Sequence, residues 1–296
     1  MHKARKEIKK VMSQVDIVIE VLDARIPFSS ANPLVNQLKG DKPCIKILNK
    51  SDLADPVLTK QWQAFFEQDG NVRTIALSAS QDARKGTIAQ LCHKLVPHRQ
   101  HSDKNLSAMI MGIPNVGKST LINGIAGKAI AKVGNEPAVT KRQQKINLDN
   151  GLSLSDTPGI LWPKLEPVAC GYRLAVTGAI KDTAMEYEDV ALFALEFLLQ
   201  SYPDALKTRY KVESLPSSEM EMLSLLGTKR GCLRSGGVVD IYQAATILLQ
   251  DLRSGKLGEL TFETPATMEA ELAELRAQIE AKREAENEKS SKQKSP

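Results

Sequence analysis

The chain has 296 residues, enough for two domains, and 42% of them are hydrophobic, so a sizeable core is available. A net charge of +5 fits a nucleic-acid partner without requiring one. Cys44, Cys92, Cys170 and Cys232 form no C-x-x-C pair, which excludes a zinc framework or a disulfide scaffold, and no run reaches the ~18 apolar residues of a membrane span. Cys44 and Cys92 lie in apolar runs and read as small core residues in a reducing compartment.

Met1 to Lys10 is basic without an apolar h-region, so it is not a secretory signal. Glu7 favours a helix over a presequence, and residues 3–14 read as a basic amphipathic helix. Val15 to Leu22 is a buried strand ending at Asp23-Ala24-Arg25-Ile26-Pro27, and Ser29 to Pro33 a polar loop. Pro43 to Leu48 is a second strand that delivers Asn49 to its C-terminal end. Leu58 to Gln68 is a helix with Trp62, Phe65 and Phe66 on one side. Val72 to Leu77 is a third strand, followed by Ser78-Ala79-Ser80 and a helix from Thr87 to Leu95. Ser107 to Gly112 is a fourth strand, with a helix over Lys118 to Gly127. Ile146 to Leu148 and Leu152 to Leu154 form a hairpin around Asn150-Gly151. Asp156-Thr157-Pro158-Gly159 closes its second strand. Strands alternate with helices, and each motif sits at a strand's C-terminal end, where open α/β sheets bind ligands.

The pattern changes after Trp162-Pro163. Residues 1–163 are expected to form an α/β domain, 164–171 a linker, 172–265 a smaller all-α domain, and 266–296 a charged helix with a polar tail. Val190 to Leu199 is strongly apolar, and Val238 to Leu252 reads as a helix with an aliphatic stripe.

Gly112-Ile-Pro-Asn-Val-Gly117-Lys118-Ser119 is a complete G-x-x-x-x-G-K-[ST] phosphate loop between a strand and a helix. Its N–H groups and the helix N-terminus point at negative charge. Lys118 is expected on the β- and γ-phosphates and Ser119 on Mg²⁺. Asp156 with Gly159 resembles the D-x-x-G element, with Asp156 on the Mg²⁺ side and the Gly159 N–H at the γ-phosphate. Thr140 is the candidate switch threonine, closing on Mg²⁺ and the γ-phosphate. Asn49-Lys50-Ser51-Asp52 is an N-K-x-D guanine reader. The Asp52 carboxylate can accept from the ring N–H and exocyclic amine of guanine, donors that adenine lacks on that edge. Ser78 and Ala79 are candidates for the backbone contact to guanine O6, with Ser80 where a lysine is usual. The expected nucleotide contacts are Asn49, Lys50, Ser51, Asp52, Ser78, Ala79, Asn115, Val116, Gly117, Lys118, Ser119, Thr120 and Gly159. Lys118, Thr140 and Gly159 would act on the transferring phosphoryl group. In the usual GTPase order the phosphate loop precedes N-K-x-D; in this chain the reader comes first, so it reads as circularly permuted.

Together these elements resemble the YlqF/YawG group of circularly permuted GTPases. The resemblance runs from Lys3-Ala-Arg-Lys-Glu through Asp23-Ala-Arg-Ile-Pro to Arg230-Gly-Cys-Leu-Arg-Ser-Gly-Gly. It implies a GTPase that helps mature the large (50S) ribosomal subunit, with a helical domain on ribosomal RNA. A monomeric, cytoplasmic protein with no membrane association follows. The position after D-x-x-G holds Ile160, which cannot orient water, so slow intrinsic turnover is expected, stimulated by the ribosomal particle. Asn115 matches an asparagine that in some GTPases helps to hold K⁺, making K⁺ a candidate cofactor beside GTP and Mg²⁺. The family also carries a histidine in an upstream W-F-P-G-H-M stretch; His2 is not its equivalent, and the chain is expected to lack it. His2, His93, His98 and His101 read as solvated surface. Lys229, Arg230 and Arg234 are the candidate RNA contacts, with Arg234-Ser-Gly-Gly read as a phosphate-binding helix start. The alternative function is a GTP-liganded RNA-binding module with negligible hydrolysis.

Overall fold

The computed structural model describes residues 8–78, 85–97, 105–127, 130, 144–148, 151–156, 165–180 and 185–292, with side chains for all of these but 85, 144 and 288–292. A helical segment over residues 8–12 (α1) leads into β1 (Ile17–Asp23), which is buried along its whole length. The sheet continues with β2 (Cys44–Asn49), β3 (Val72–Ala76), β4 (Leu106–Gly112), β5 (Gln144–Asn147) and β6 (Leu152–Asp156). Their spatial order is β3-β2-β1-β4-β6-β5. All neighbours run parallel except β5, which pairs antiparallel with β6 at the edge. Parallel strands are covered on both faces, and that is why β1, β2 and β4 read as near-continuous aliphatic runs. The two charges inside them satisfy one another. Glu20 on β1 lies opposite Lys46 on β2 and pairs with it, while its other oxygen accepts from Asn32 N at 2.9 Å.

Helix α2 (Pro33–Lys39) begins at the last residue of the stretch read as a polar loop and was not assigned from the sequence. Asn32 caps it by accepting from Leu34 N at 2.9 Å, and Pro33 takes the first helical position, where a missing N–H costs nothing. Helix α3 (Pro56–Phe66) is capped by Asp55 and buries Trp62 completely against Phe65 and Phe66. Helices α4 (Lys85–Leu95) and α5 (Lys118–Ala126) follow β3 and β4.

The second part is helical: α6 (Val168–Val176), α7 (Tyr187–Ser201), α8 (Pro203–Tyr210), α9 (Glu219–Arg230) and α10 (Ile241–Arg253). Helix α6 begins inside the stretch read as a linker. Leu174, Leu195, Leu198, Leu223, Leu226 and Leu248 fill this part, and its core is continuous with that of the sheet. The chain then returns to the α/β domain. Leu260 N donates to Leu53 O at 3.0 Å, Phe262 N to Arg25 O at 2.8 Å, and Trp62 Nε1 to Glu263 O at 3.0 Å. Helix α11 (Pro265–Lys292) starts against α3, with Met268 buried beside Trp62, and continues as helix through residues 289–292, where a polar tail was expected. The remaining tail residues lie outside the described set. Among the described residues no helix is long and apolar enough to cross a membrane. The four cysteines are free and buried, and burial pushes the thiols of Cys44 and Cys92 up to about 12, as inert core groups require.

Candidate nucleotide site

The site is built at the C-terminal ends of β1, β2, β4 and β6. Gly112 closes β4 so tightly against β1 that a Cβ there would sit 2.8 Å from Val21 O. The following turn holds Asn115 at φ 59° and Gly117 at φ 89°, both left-handed. Gly117 caps α5, and a side chain on it would run into Asn49 Nδ2. Sterically, only glycine fits both the backbone angle and the gap.

The parallel register places the reader beside this loop. Asn49 is buried, and its Nδ2 donates to Val116 O at 2.6 Å. Lys50 adopts a left-handed backbone at φ 59°, and its Nζ donates to Asn115 O at 2.8 Å and to Asp23 Oδ2 at 2.9 Å. Ser51 and Asp52 lie on a 3₁₀ turn pinned by the Ser51 N to Leu77 O bond of 2.9 Å, and Asp52 is exposed, open to a base. Ser78 follows β3 and is buried. The structure thus brings Asn49, Lys50, Asn115, Val116 and Gly117 into one cluster. Ser119 is half-buried and Thr120 exposed on the first turn of α5. Ala79, Ser80, Thr140, Gly159 and Ile160 lie outside the described residues, as do His2, His98 and His101. His93 is half-buried near Gly151 rather than solvated, because α4 packs it toward the hairpin turn.

Lys118 is buried and pairs with Asp156 Oδ1 at the end of β6. Asp156 Oδ2 is buried and has no hydrogen-bond partner among the described residues. Buried carboxylate oxygens are costly unless paired, so this orphaned atom fits a cation. An anionic oxygen of this kind is a hard donor such as Mg²⁺ takes. Bound there, Mg²⁺ would neutralise phosphate charge.

Asn115 Nδ2 donates to Gly178 O at 2.8 Å, in the turn after α6. This position is set by the neighbouring helical part, which local sequence does not reveal. Arg234-Ser-Gly-Gly is not a helix start. Leu233 and Val239 bridge, Gly236 and Gly237 take positive φ in the turn between them, and α10 begins only at Ile241. Its cap is Asp240, which pairs with Arg234 at 2.8 Å and puts a carboxylate where phosphate was expected. Arg230 pairs with Asp251 at 3.3 Å and lies over the Tyr210 ring, whereas Lys229 is exposed.

Sequence reasoning assigned Asp23 and Arg25 no role in the site. Arg25 grips Asp23 through Nε at 2.9 Å and Nη2 at 2.8 Å. Burial pushes Asp23 up, but the charges and hydrogen bonds of Arg25 and Lys50 outweigh it and hold the carboxyl well below the usual range. The available signal was position: a charged pair at the end of a strand that is otherwise apolar but for Glu20.

The strand order, a phosphate loop on β4 and an N-K-x-D reader on the earlier β2 define a circularly permuted P-loop GTPase. The family described as 50S ribosome-binding GTPase matches residues 107–223. Ribosome biogenesis GTPase A of Bacillus cereus is 44% identical over 274 residues, covering 90% of this chain and 92% of the relative. Two solved structures of T. maritima YlqF, GDP-bound and GNP-bound, are each 30% identical, with TM-scores of 0.64 and 0.62. The first covers 88% of this chain and 99% of its own, the second 89% and 98%. The chain belongs to the ribosome biogenesis GTPase A (YlqF) family, and it hydrolyses GTP.

Proposed function

We propose that this GTPase is an assembly factor for the large ribosomal subunit, slow alone and stimulated by the ribosomal particle. The observation that carries the nucleotide half is the bond from Asn49 to Val116 O, which welds the reader to the phosphate loop. Asp52 then reads the guanine edge, Lys50 lies along the base, and Ser78 and Ala79 border it. The N–H groups around Val116, Gly117 and Thr120 face the phosphates. Lys118 leaves Asp156 for the β- and γ-phosphates. Thr140 and the Gly159 N–H close on the γ-phosphate, and Ser119, Thr140 and Asp156 hold Mg²⁺. The relatives' names support the ribosomal half. In the helical part, Lys229 is the better candidate for RNA phosphates, ahead of Arg230 and Arg234, since Asp251 engages Arg230 and Asp240 engages Arg234. K⁺ is proposed through Asn115 Oδ1, the amide oxygen opposite the Nδ2 that donates to Gly178 O.

The test is GTP turnover in K⁺ buffer, with and without large ribosomal subunits. A rise of about tenfold, worth about 1.4 kcal/mol in transition-state stabilisation, supports the reading. No rise favours a GTP-liganded RNA-binding module instead.

A further inference from the structure

Asp23-Ala24-Arg25-Ile26-Pro27 carries no phosphate- or base-binding pattern, yet its first residue touches the reader. Asp23 ends β1, and the parallel register sets it opposite Asn49. Its carboxylate is 2% exposed and takes four donors. Arg25 N and Nε reach Oδ1 at 3.1 and 2.9 Å; Arg25 Nη2 and Lys50 Nζ reach Oδ2 at 2.8 and 2.9 Å. The Lys50 ammonium is thus fixed by two acceptors, Asp23 Oδ2 and the phosphate-loop carbonyl of Asn115. A lysine stem has high rotamer freedom, and ordering it on binding weakens the complex. In this site the ordering precedes nucleotide arrival. Arg25 completes the arrangement: its Nη2 also reaches Thr177 O at 3.4 Å, and the charge of Asp52 acts on it.

We propose that Asp23 is a positioning residue for guanine recognition, holding the Lys50 stem along the plane of the base, with Arg25 holding Asp23. The proposal rests on Asn49–Asp52 being the guanine reader. A residue that acts through Lys50 loses its effect when Lys50 is gone, whereas one that merely stabilises the fold does not.

The experiment is a double-mutant cycle on the full chain, with GDP affinity measured by calorimetric titration and folding by thermal melting. Asp23→Asn is expected to weaken GDP binding about tenfold or more in the wild-type background, and by less than about twofold in Lys50→Met. Equal losses in both backgrounds overturn the proposal. Unchanged GDP affinity in Lys50→Met alone overturns the reader itself, a separate failure. Should Asp23→Asn not fold, Asp23→Glu decides, because it keeps the charge and displaces it by one methylene. Weakened GDP binding with a retained melting transition supports the role; full affinity overturns it.

Discussion

Asp156→Asn probes the step by which the phosphate loop accepts its ligand. The pair it breaks is buried on both sides, with the Lys118 and Asp156 side chains 7% and 1% exposed. Removing one partner of a buried ion pair costs about 3–5 kcal/mol, because a charge is left uncompensated. The new amide oxygen still accepts from Lys118, and a hydrogen bond to a charged group restores about 1.5–3 kcal/mol. The expected net loss is about 2 kcal/mol in nucleotide-free protein. At about 2–4 °C per kcal/mol for a chain of this size, melting falls by about 4–8 °C. The variant also lacks the anionic oxygen that suits a hard cation at the orphaned Oδ2 position. GTP affinity, titrated with and without Mg²⁺, should then lose its dependence on the ion. A variant that melts with the wild type and keeps full Mg²⁺ dependence would refute this account of Asp156.

Three further outcomes follow from the same geometry. Gly117→Ala forces a left-handed backbone at φ 89° and drives Asn49 off Val116 O; at about 1–2 kcal/mol for the strain and about 1 for the bond, GDP affinity should fall about 30-fold or more. Asp52→Asn should relax base choice, lowering the preference for GTP over ATP by about tenfold or more in competition binding; an unchanged ratio would remove Asp52 from the reader. Glu263 accepts from Phe28 N and from Ser29 N at 2.9 Å, and burial raises its pKa, with Arg173 only partly opposing. The fold therefore holds this proton more tightly than the unfolded chain does, so Glu263 adds stability as pH falls through the raised value. Denaturant midpoints should show the wild type gaining on Glu263→Gln as pH falls from neutral toward the ordinary carboxylate range, and a constant gap would exclude the raised pKa.

Most of the sheet was legible because buried parallel strands such as β1, β2 and β4 leave a plain record of near-continuous apolar runs ending at motif residues. Helix α2 was not, since Asn32-Pro33 is equally good as turn chemistry and as a cap with a first-turn proline. The Arg234 turn misled for a related reason: a Gly-Gly pair before an apolar stretch suits a helix start as well as the positive-φ turn that the chain adopts. The docking of α11 rests on Met268, Leu272 and an Arg173–Glu271 pair at 2.9 Å, within a helix that is rich in Ala, Glu, Lys and Arg and shows no apolar stripe along its length. Phosphate loop and reader were both recognisable as motifs, but that Asn49 binds Val116 O depends on which strands are neighbours. The position of Asp23 beside Lys50 is likewise a product of strand register.

The same register suggests how nucleotide state reaches the helical part. The last turn of a helix leaves carbonyls unpaired, and at the end of α6 and in the turn after it side chains add to the backbone N–H groups that fill them. Arg253 bonds Ala175 O at 2.8 Å and Val176 O at 3.2 Å, Arg25 bonds Thr177 O, and Asn115 bonds Gly178 O. Two of these donors belong to the nucleotide end of the sheet. Releasing Asn115 from Gly178 would change the balance by about 1 kcal/mol. Reversing a two-state equilibrium from 1:99 to 99:1 needs about 5.5 kcal/mol. That one bond therefore cannot drive the helical part by itself. The remainder has to come through the chain, because α6 is the next described element after β6, which ends at Asp156. RNA affinity should accordingly differ between the GDP state and a state held by a non-hydrolysable GTP analogue, and Asn115→Ala should shrink that difference only modestly. Equal affinity in the two states would refute the coupling. Complete loss of the difference in Asn115→Ala would place the whole of it in one hydrogen bond, several times more than such a bond contributes.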